Sequence, residues 1–178
     1  GLRVVYITGK SVWLHSSGGP DVTFLDGTGG YDGIAMCNGA SASDTVFDGF
    51  TITNGDGGNL RTGGISIIND CNATISNCII TNNIASEPNW SGGGFGCYTN
   101  SSPTIINCTI ENNASTWFGG GVFIKADCNP TFTNCIIYGN SVDSDGGGVF
   151  ITDNCAPTFT NCTITNNVGG DDETYDVG

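Results

Sequence analysis

The sequence predicts an all-β parallel solenoid of about six rungs with three strands in each. Three observations carry that expectation. A set of short phrases returns every 27 to 30 residues, apolar and polar residues alternate inside each phrase, and Gly, Asn, Asp and Pro punctuate the places where the chain must turn.

The chain opens on Gly1-Leu2-Arg3-Val4-Val5-Tyr6-Ile7, a β-branched and aromatic run that reads as a strand. No leader is visible at Gly1, so the expectation is that a targeting segment has been removed or that the chain is a piece of a longer protein. Residues 1–62 hold two degenerate rungs, marked by Thr23-Phe24-Leu25-Asp26-Gly27 and Thr45-Val46-Phe47-Asp48-Gly49-Phe50. Four regular rungs fill residues 63–170. They begin at Gly63-Gly64-Ile65, Gly93-Gly94-Phe95, Gly120-Gly121-Val122 and Gly147-Gly148-Val149. Each carries a second phrase, from Thr74-Ile75-Ser76-Asn77-Cys78 to Thr158-Phe159-Thr160-Asn161-Cys162, and a third, from Ile80-Thr81-Asn82-Asn83 to Ile164-Thr165-Asn166-Asn167. Residues 171–178 read as an acidic tail or the start of a further rung, and 1–178 as a single domain.

Period-two alternation such as Val122 with Ile124 and Cys135 with Ile137 argues for strands, and no window carries a helical stripe. Three strands per turn of 27 residues, with corners between them, is the economy of a single-stranded right-handed parallel β-helix. At a rung spacing of about 4.8 Å, six rungs make a rod roughly 25–30 Å long.

In such a rod like stacks on like. Ile75, Ile105, Phe132 and Phe159 are expected in one inward column, and Ile80, Ile110, Ile137 and Ile164 in another. An Asx ladder of Asp26, Asp48, Asn77, Asn107, Asn134 and Asn161 is placed at a corner. There side-chain amides can bond along the stack and Asn tolerates a left-handed backbone. Cys78, Cys108, Cys135 and Cys162 form a further structural column. Cys71, Cys128 and Cys155 form another, with Ser101 in the gap, while Cys97 replaces Ile67, Ile124 and Ile151. The odd total of nine and the column pattern favour buried thiols, although a bridge such as Cys128 to Cys155 lies within reach. Columns spread along an axis do not converge as a zinc site requires.

A formal charge of −13 from 17 carboxylates against four Lys and Arg excludes a nucleic-acid partner, and no apolar run is long enough for membrane insertion. No cofactor is expected. Calcium is a minor expectation, resting on Asp143, Asp145 and Asp171-Asp172-Glu173, whose spacing matches neither the EF-hand loop nor the nonapeptide calcium repeat. No catalytic residue stands out: His15 lacks a partner, and Asp127 and Asp153 are the least poor pair for cleaving a glycoside. Trp90, Trp117 and Phe118 lie in the loops joining rungs and are the candidates for an interface or a glycan contact. Thr131-x-Thr133, Thr158-x-Thr160 and Thr163-x-Thr165 raise ice binding, but Ser76, Ile106, Glu111 and Tyr138 interrupt the rows.

The phrases Ile110-Glu111-Asn112-Asn113-Ala114 and Gly120-Gly121-Val122 resemble repeats of the chlamydial polymorphic outer-membrane proteins. They also resemble the wider pectate-lyase-like right-handed β-helix proteins of bacterial surfaces. The likeness spans residues 23–170 and is specific for fold. It implies a passenger-like, secreted or cell-surface module of a bacterium, used for adhesion or assembly, with no outer-membrane barrel or anchor in this chain. The expected function is therefore a non-catalytic structural or adhesive rod. Its partners would be other copies of itself, joined end to end into filaments, or surface glycans. The alternative is a carbohydrate-binding or polysaccharide-degrading module.

Overall fold

The computed structural model describes residues 3–29, 33–58, 62–86 and 92–170. The chain winds through six rungs. The first holds β1 (Val5–Thr8), β2 (Trp13–His15) and β3 (Phe24–Asp26), and the second β4 (Ala35–Asn38), β5 (Val46–Asp48) and β6 (Thr51–Thr53). The third begins with β7 (Ile65–Ile68), β8 (Thr74–Ser76), β9 (Ile79–Thr81) and β10 (Ile84–Ala85). The fourth follows with β11 (Phe95–Tyr98), β12 (Thr104–Ile106), β13 (Thr109–Glu111) and β14 (Ala114–Ser115). The fifth has β15 (Val122–Lys125), β16 (Thr131–Thr133), β17 (Ile136–Tyr138) and β18 (Ser141–Val142), and the sixth β19 (Val149–Ile151), β20 (Thr158–Thr160) and β21 (Thr163–Thr165).

Like strands of successive rungs pair in parallel. The order β1-β4-β7-β11-β15-β19 makes a first sheet, β2-β5-β8-β12-β16-β20 a second and β3-β6-β9-β13-β17-β21 a third. The short strands β10, β14 and β18 add a narrow fourth sheet that the repeat pattern did not announce. A single turn of 3-10 helix, Ala40–Ala42, interrupts the second rung.

Strands of three or four residues allow one or two inward side chains each, so the core is built column by column. Phe47, Ile75, Ile105 and Phe132 are fully buried over one another in the second sheet, and Phe159 packs partly buried beyond them. Ile52, Ile80, Ile110 and Ile137 do the same in the third sheet. Phe132 and Phe159 stack at 4.7 Å and 9°, as rings must when they share a position in consecutive rungs. Ile164 continues the third-sheet column but is 49 % exposed in the sixth rung.

Sharp corners need residues that accept a positive φ. After the second-sheet strands these are Gly49, Asn77, Asn107, Asn134 and Asn161, and after the third-sheet strands Asn54, Asn82, Asn112, Gly139 and Asn166. Asn is favoured there because its short polar side chain makes the left-handed conformation less costly than for other residues. One expected ladder member, Asp48, keeps its side-chain bond to Asn77 but not the corner backbone position, and another, Asp26, lies elsewhere. Gly49, not Asp48, occupies the corner under Asn77, since its N–H donates to the Ser76 carbonyl just as that of Asn77 donates to Ile106. Asp48 is a strand residue opposite Ser76. Asp26 belongs to the third sheet, opposite Thr53, and does not enter the ladder at all.

The first sheet departs from simple alternation. Its inward residues Ile65, Ile67, Phe95, Cys97, Val122 and Ile124 are buried as expected, but so are the outward-facing Met36, Ser66 and Phe123. Among the described residues, Thr62 and the loop holding Trp117 and Phe118 lie over this face. Thr62 bonds the Tyr98 hydroxyl at 2.9 Å, and the Tyr98 ring lies where a side chain on Gly96 would stand.

Candidate functional site

The residues with chemical potential fall into four groups: the asparagines, the cysteines, the loop aromatics and the carboxylates. The corner ladder bonds as expected over its central steps. Asn77 Nδ2 donates to Asp48 Oδ1 at 2.7 Å, Asn107 Nδ2 to Asn77 Oδ1 at 3.3 Å and Asn134 Nδ2 to Asn107 Oδ1 at 3.2 Å. These amides are exposed. Asn161 holds the same left-handed backbone in the sixth rung. Asp26, outside the ladder, accepts from Asn54 Nδ2 and from the Thr28 N–H and hydroxyl. Those bonds, led by that of Asn54, lower its carboxyl below the ordinary value.

A second asparagine ladder, which the sequence reading did not single out, runs through the interior. Asn83, Asn113 and Asn140 are buried to within 1 %. Asn113 Oδ1 accepts from both the N–H and Nδ2 of Asn83, while its own Nδ2 donates to the Ile80 carbonyl and to Asn140 Oδ1. Asn140 repeats the pattern with Ile110 and Asn167. Asn83 accepts from the Gly55 N–H and donates to the Ile52 carbonyl. Each amide therefore spends its donors and acceptor tying one rung to its neighbours, which is the condition for burying it. The signal was present in the sequence: the second Asn of the Asn-Asn pair never varies in the four regular copies, whereas the first gives way to Gly139.

All nine cysteines are free thiols and seven are buried. Cys78, Cys108, Cys135 and Cys162 form the expected column. Each Sγ reaches a backbone carbonyl of the preceding rung, those of Phe47, Ile75, Ile105 and Phe132, at 3.6–3.8 Å. Cys71, Ser101, Cys128 and Cys155 form the other column at the corner after the first sheet. The Cys71 N–H donates to Ser101 Oγ, the Ser101 N–H to Cys128 Sγ and the Cys128 N–H to Cys155 Sγ. A hydrogen bond from Cys78 together with burial pushes the Cys108 thiol well up, and burial first, then Cys128, does the same for Cys97. Thiols held protonated are poor nucleophiles and poor metal ligands.

Of the aromatic candidates, Trp90 lies outside the described residues. Trp117 and Phe118 are half-buried and start a continuous aromatic run over the outer face of the first sheet. Ring centroids are 6.2 Å apart for Trp117 and Phe118, 4.5 Å for Phe118 and Phe150, 5.7 Å for Phe150 and Phe123 and 5.5 Å for Phe123 and Tyr98. The loop is pinned by the Asp145 N–H donating to the Trp117 carbonyl. Trp117 and Phe118 thus cover the sheet, with a remaining exposed fraction. Trp13 is the more open ring, 68 % exposed and stacked on His15 at 4.5 Å, so the lone histidine does have an aromatic partner.

The carboxylates do not gather. Asp127 and Asp153 sit one rung apart at the same corner, the Asp127 N–H donating to the Asp153 carbonyl. The Asp153 carboxylate lies 3.6 Å from Lys125 Nζ. Asp143 and Asp145 are in the loop after β18, their N–H groups bonded to Ser115 and Trp117. Asp171, Asp172 and Glu173 lie outside the described residues. Among the described residues no three His, Cys, Asp or Glu side chains converge on a point a metal could fill, and no helix is long and apolar enough to cross a membrane.

Comparison with curated proteins and with solved structures returned no match. A family model described as the right-handed β-helix region matches residues 8–176, nearly the whole chain. Parallel pairing of every rung on the next, with inward columns and left-handed Asn corners, is the architecture that such a match calls for. The chain belongs to the right-handed β-helix family.

Proposed function

We propose that this β-solenoid is a non-catalytic structural and adhesive module of the bacterial cell surface or exterior, and that its rods associate end to end. The observation that supports this best is the continuity of the columns into the sixth rung. There β19, β20 and β21 repeat the register of the rungs before them, and Ile151, Ile164 and Val168 are exposed. A further rung in the same register, from the continuing chain or from a second copy, would bury them and pair the strand edges, and the proposal takes the second copy as its source. The thiols and interior amides support the non-catalytic reading because their hydrogen-bonding capacity goes to joining rungs. An extracellular or surface setting is supported by the acidic, Lys- and Arg-poor composition.

Light scattering and negative-stain microscopy of the full chain across a concentration series, at an ionic strength that screens the −13 charge, test the proposal. Linear oligomers that lengthen with concentration, and that Ile164→Lys reduces to monomers without loss of β signal, are the expected result. A monomer at every concentration sinks the end-to-end model.

A carbohydrate-binding or carbohydrate-cleaving module is the second reading. It is favoured by the open Trp13–His15 stack and by the exposed remainder of Trp117, since aromatic faces stack on sugar rings. A glycan array and a polysaccharide-degradation assay on wild type and Trp13→Ala separate the two readings.

A further inference from the structure

We infer that Cys37 with Cys71, and Cys97 with Cys128, are two equivalent cross-rung pairs that close into disulfides when the chain folds in the presence of a small oxidised disulfide. Cys37 lies in β4 and Cys97 in β11, and both fill the same inward position of the first sheet, on either side of Ile67. Cys71 and Cys128 fill the same corner position, each one rung further along, with Ser101 between them. The local contacts repeat as well. Cys37 Sγ donates to the Ala42 carbonyl at 3.4 Å, and Cys97 Sγ donates to the Ser101 carbonyl, the corner residue of its own rung, at 3.2 Å. In the first pair the two sulfurs are 2.9 Å apart. In the second, Cys97 Sγ and Cys128 Sγ both bond the Ser101 backbone, through its carbonyl and its N–H, at 3.2 and 3.3 Å.

Sequence co-occurrence points the same way. Where the inward column carries Cys, in the second and fourth rungs, the next corner carries Cys. Where it carries Ile7 or Ile67, the next corner is Ala42 or Ser101. Only Cys155 breaks the rule, and it faces the rung of Ile124 from a half-exposed place at the end of its column.

The other cysteine column is poorly placed for bridging despite its proximity. Cys78, Cys108, Cys135 and Cys162 share one position in consecutive rungs, so their Cβ atoms stand parallel at the rung spacing of about 4.8 Å. A disulfide wants Cβ atoms about 3.5–4.5 Å apart and converging. Residues from two different positions, an inward strand site and the corner of the next rung, are not held to that parallel spacing, and the Cys37 and Cys71 sulfurs already lie 2.9 Å apart. Because Cys37, Cys71, Cys97 and Cys128 are buried, exchange belongs to the stage when rungs are still open. The thiolate of one cysteine attacks glutathione disulfide and releases one reduced glutathione. The second cysteine then displaces another, so two protein thiols are oxidised and one small disulfide is reduced to two thiols.

The test is to refold the full chain from denaturant in a glutathione redox buffer, quench with acid, alkylate the remaining thiols and map bridges by mass spectrometry after pepsin digestion. The expected map contains Cys37–Cys71 and Cys97–Cys128 alone, with the other five of nine cysteines alkylated. The urea midpoint of the oxidised protein should lie above that of the reduced protein. Cys71→Ala and Cys128→Ala should each remove one bridge and keep the other. If either variant fails to fold, the wild-type map decides by itself. Nine alkylated cysteines, one bridge only, or bridges within a column such as Cys78–Cys108 or Cys128–Cys155 overturn the inference.

Discussion

Asn107 and Asn113 are near neighbours in sequence, yet they do different work. Asn107 sits at an exposed corner where a left-handed backbone is required, and its amide bonds are secondary. Asn113 is enclosed, and four hydrogen bonds depend on its side chain. Asn113→Ala would leave buried partners on Asn83, Asn140 and Ile80 unsatisfied, at a cost of about 3–5 kcal/mol. Asn107→Gly keeps the conformation and loses only exposed bonds, so it should stay within about 0.5 kcal/mol of wild type. Urea unfolding of the two variants checks the contrast, and equal losses would refute the distinction. From the sequence, both asparagines looked like members of a stacking motif. Which of them turns inward depends on the αL residue that precedes it, and that reversal is a backbone fact that period-two reasoning does not contain.

At the level of strands and corners, close approach sets the constraints. A Cβ on Gly120 would run into the backbone carbonyls of Ser141 and Gly147, neither of which can step aside without moving a rung. Gly120→Ala should therefore cost about 2–3 kcal/mol. Gly139 is the opposite case. It stands with φ +64° in a row otherwise made of Asn54, Asn82, Asn112 and Asn166, and the nearest obstacle is the flexible end of Asn112. Gly139→Asn should be neutral or stabilising by about 0.5 kcal/mol, chiefly by restricting the unfolded chain. Denaturant midpoints of the two substitutions measure this directly, and a tolerated Gly120→Ala would show that the rungs can spread. The four regular rungs were legible because Thr, Asn and Cys mark one strand and corner in each. The early rungs were misphased: Thr23-Phe24-Leu25-Asp26-Gly27 imitates that second phrase while lying in the third sheet. The true second strand, Trp13-Leu14-His15, carries none of its markers. The covered face of the first sheet was hidden for another reason. The described part of its cover comes from loop residues that follow no period, and it shows only in the burial of the outward-facing Met36, Ser66 and Phe123.

For the whole molecule, the buried thiols make stability depend on pH in a definite sense. Cys71, Cys97, Cys108, Cys135 and Cys155 are all raised above the ordinary thiol value of 9.0, with burial contributing to each, while Cys37, Cys78 and Cys128 are lowered by hydrogen bonds from Cys71, Cys108 and Cys97 and offset part of the effect. Below that value native and unfolded thiols are alike protonated, and the stabilisation is complete. Above it the unfolded chain releases protons that the native state retains, so stability falls as pH rises, by about 1.4 kcal/mol per pH unit for each fully shifted thiol. Urea midpoints of the reduced protein from neutral to alkaline pH should decline, and Cys108→Ala should soften the slope. A flat profile would mean that the thiols ionise freely in the native state.

The parallel register of the three long sheets has a mechanical consequence. Strands run around the girth of the rod, and the backbone bonds between them point along its length. Tension applied along that length loads the rungs in series, so that it peels coils away one after another at modest force. A sideways pull loads many such bonds at once, in shear. A rod tethered by its flank would therefore resist drag far better than one hung from its tip, and the direction of attachment matters as much to its strength as the number of rungs.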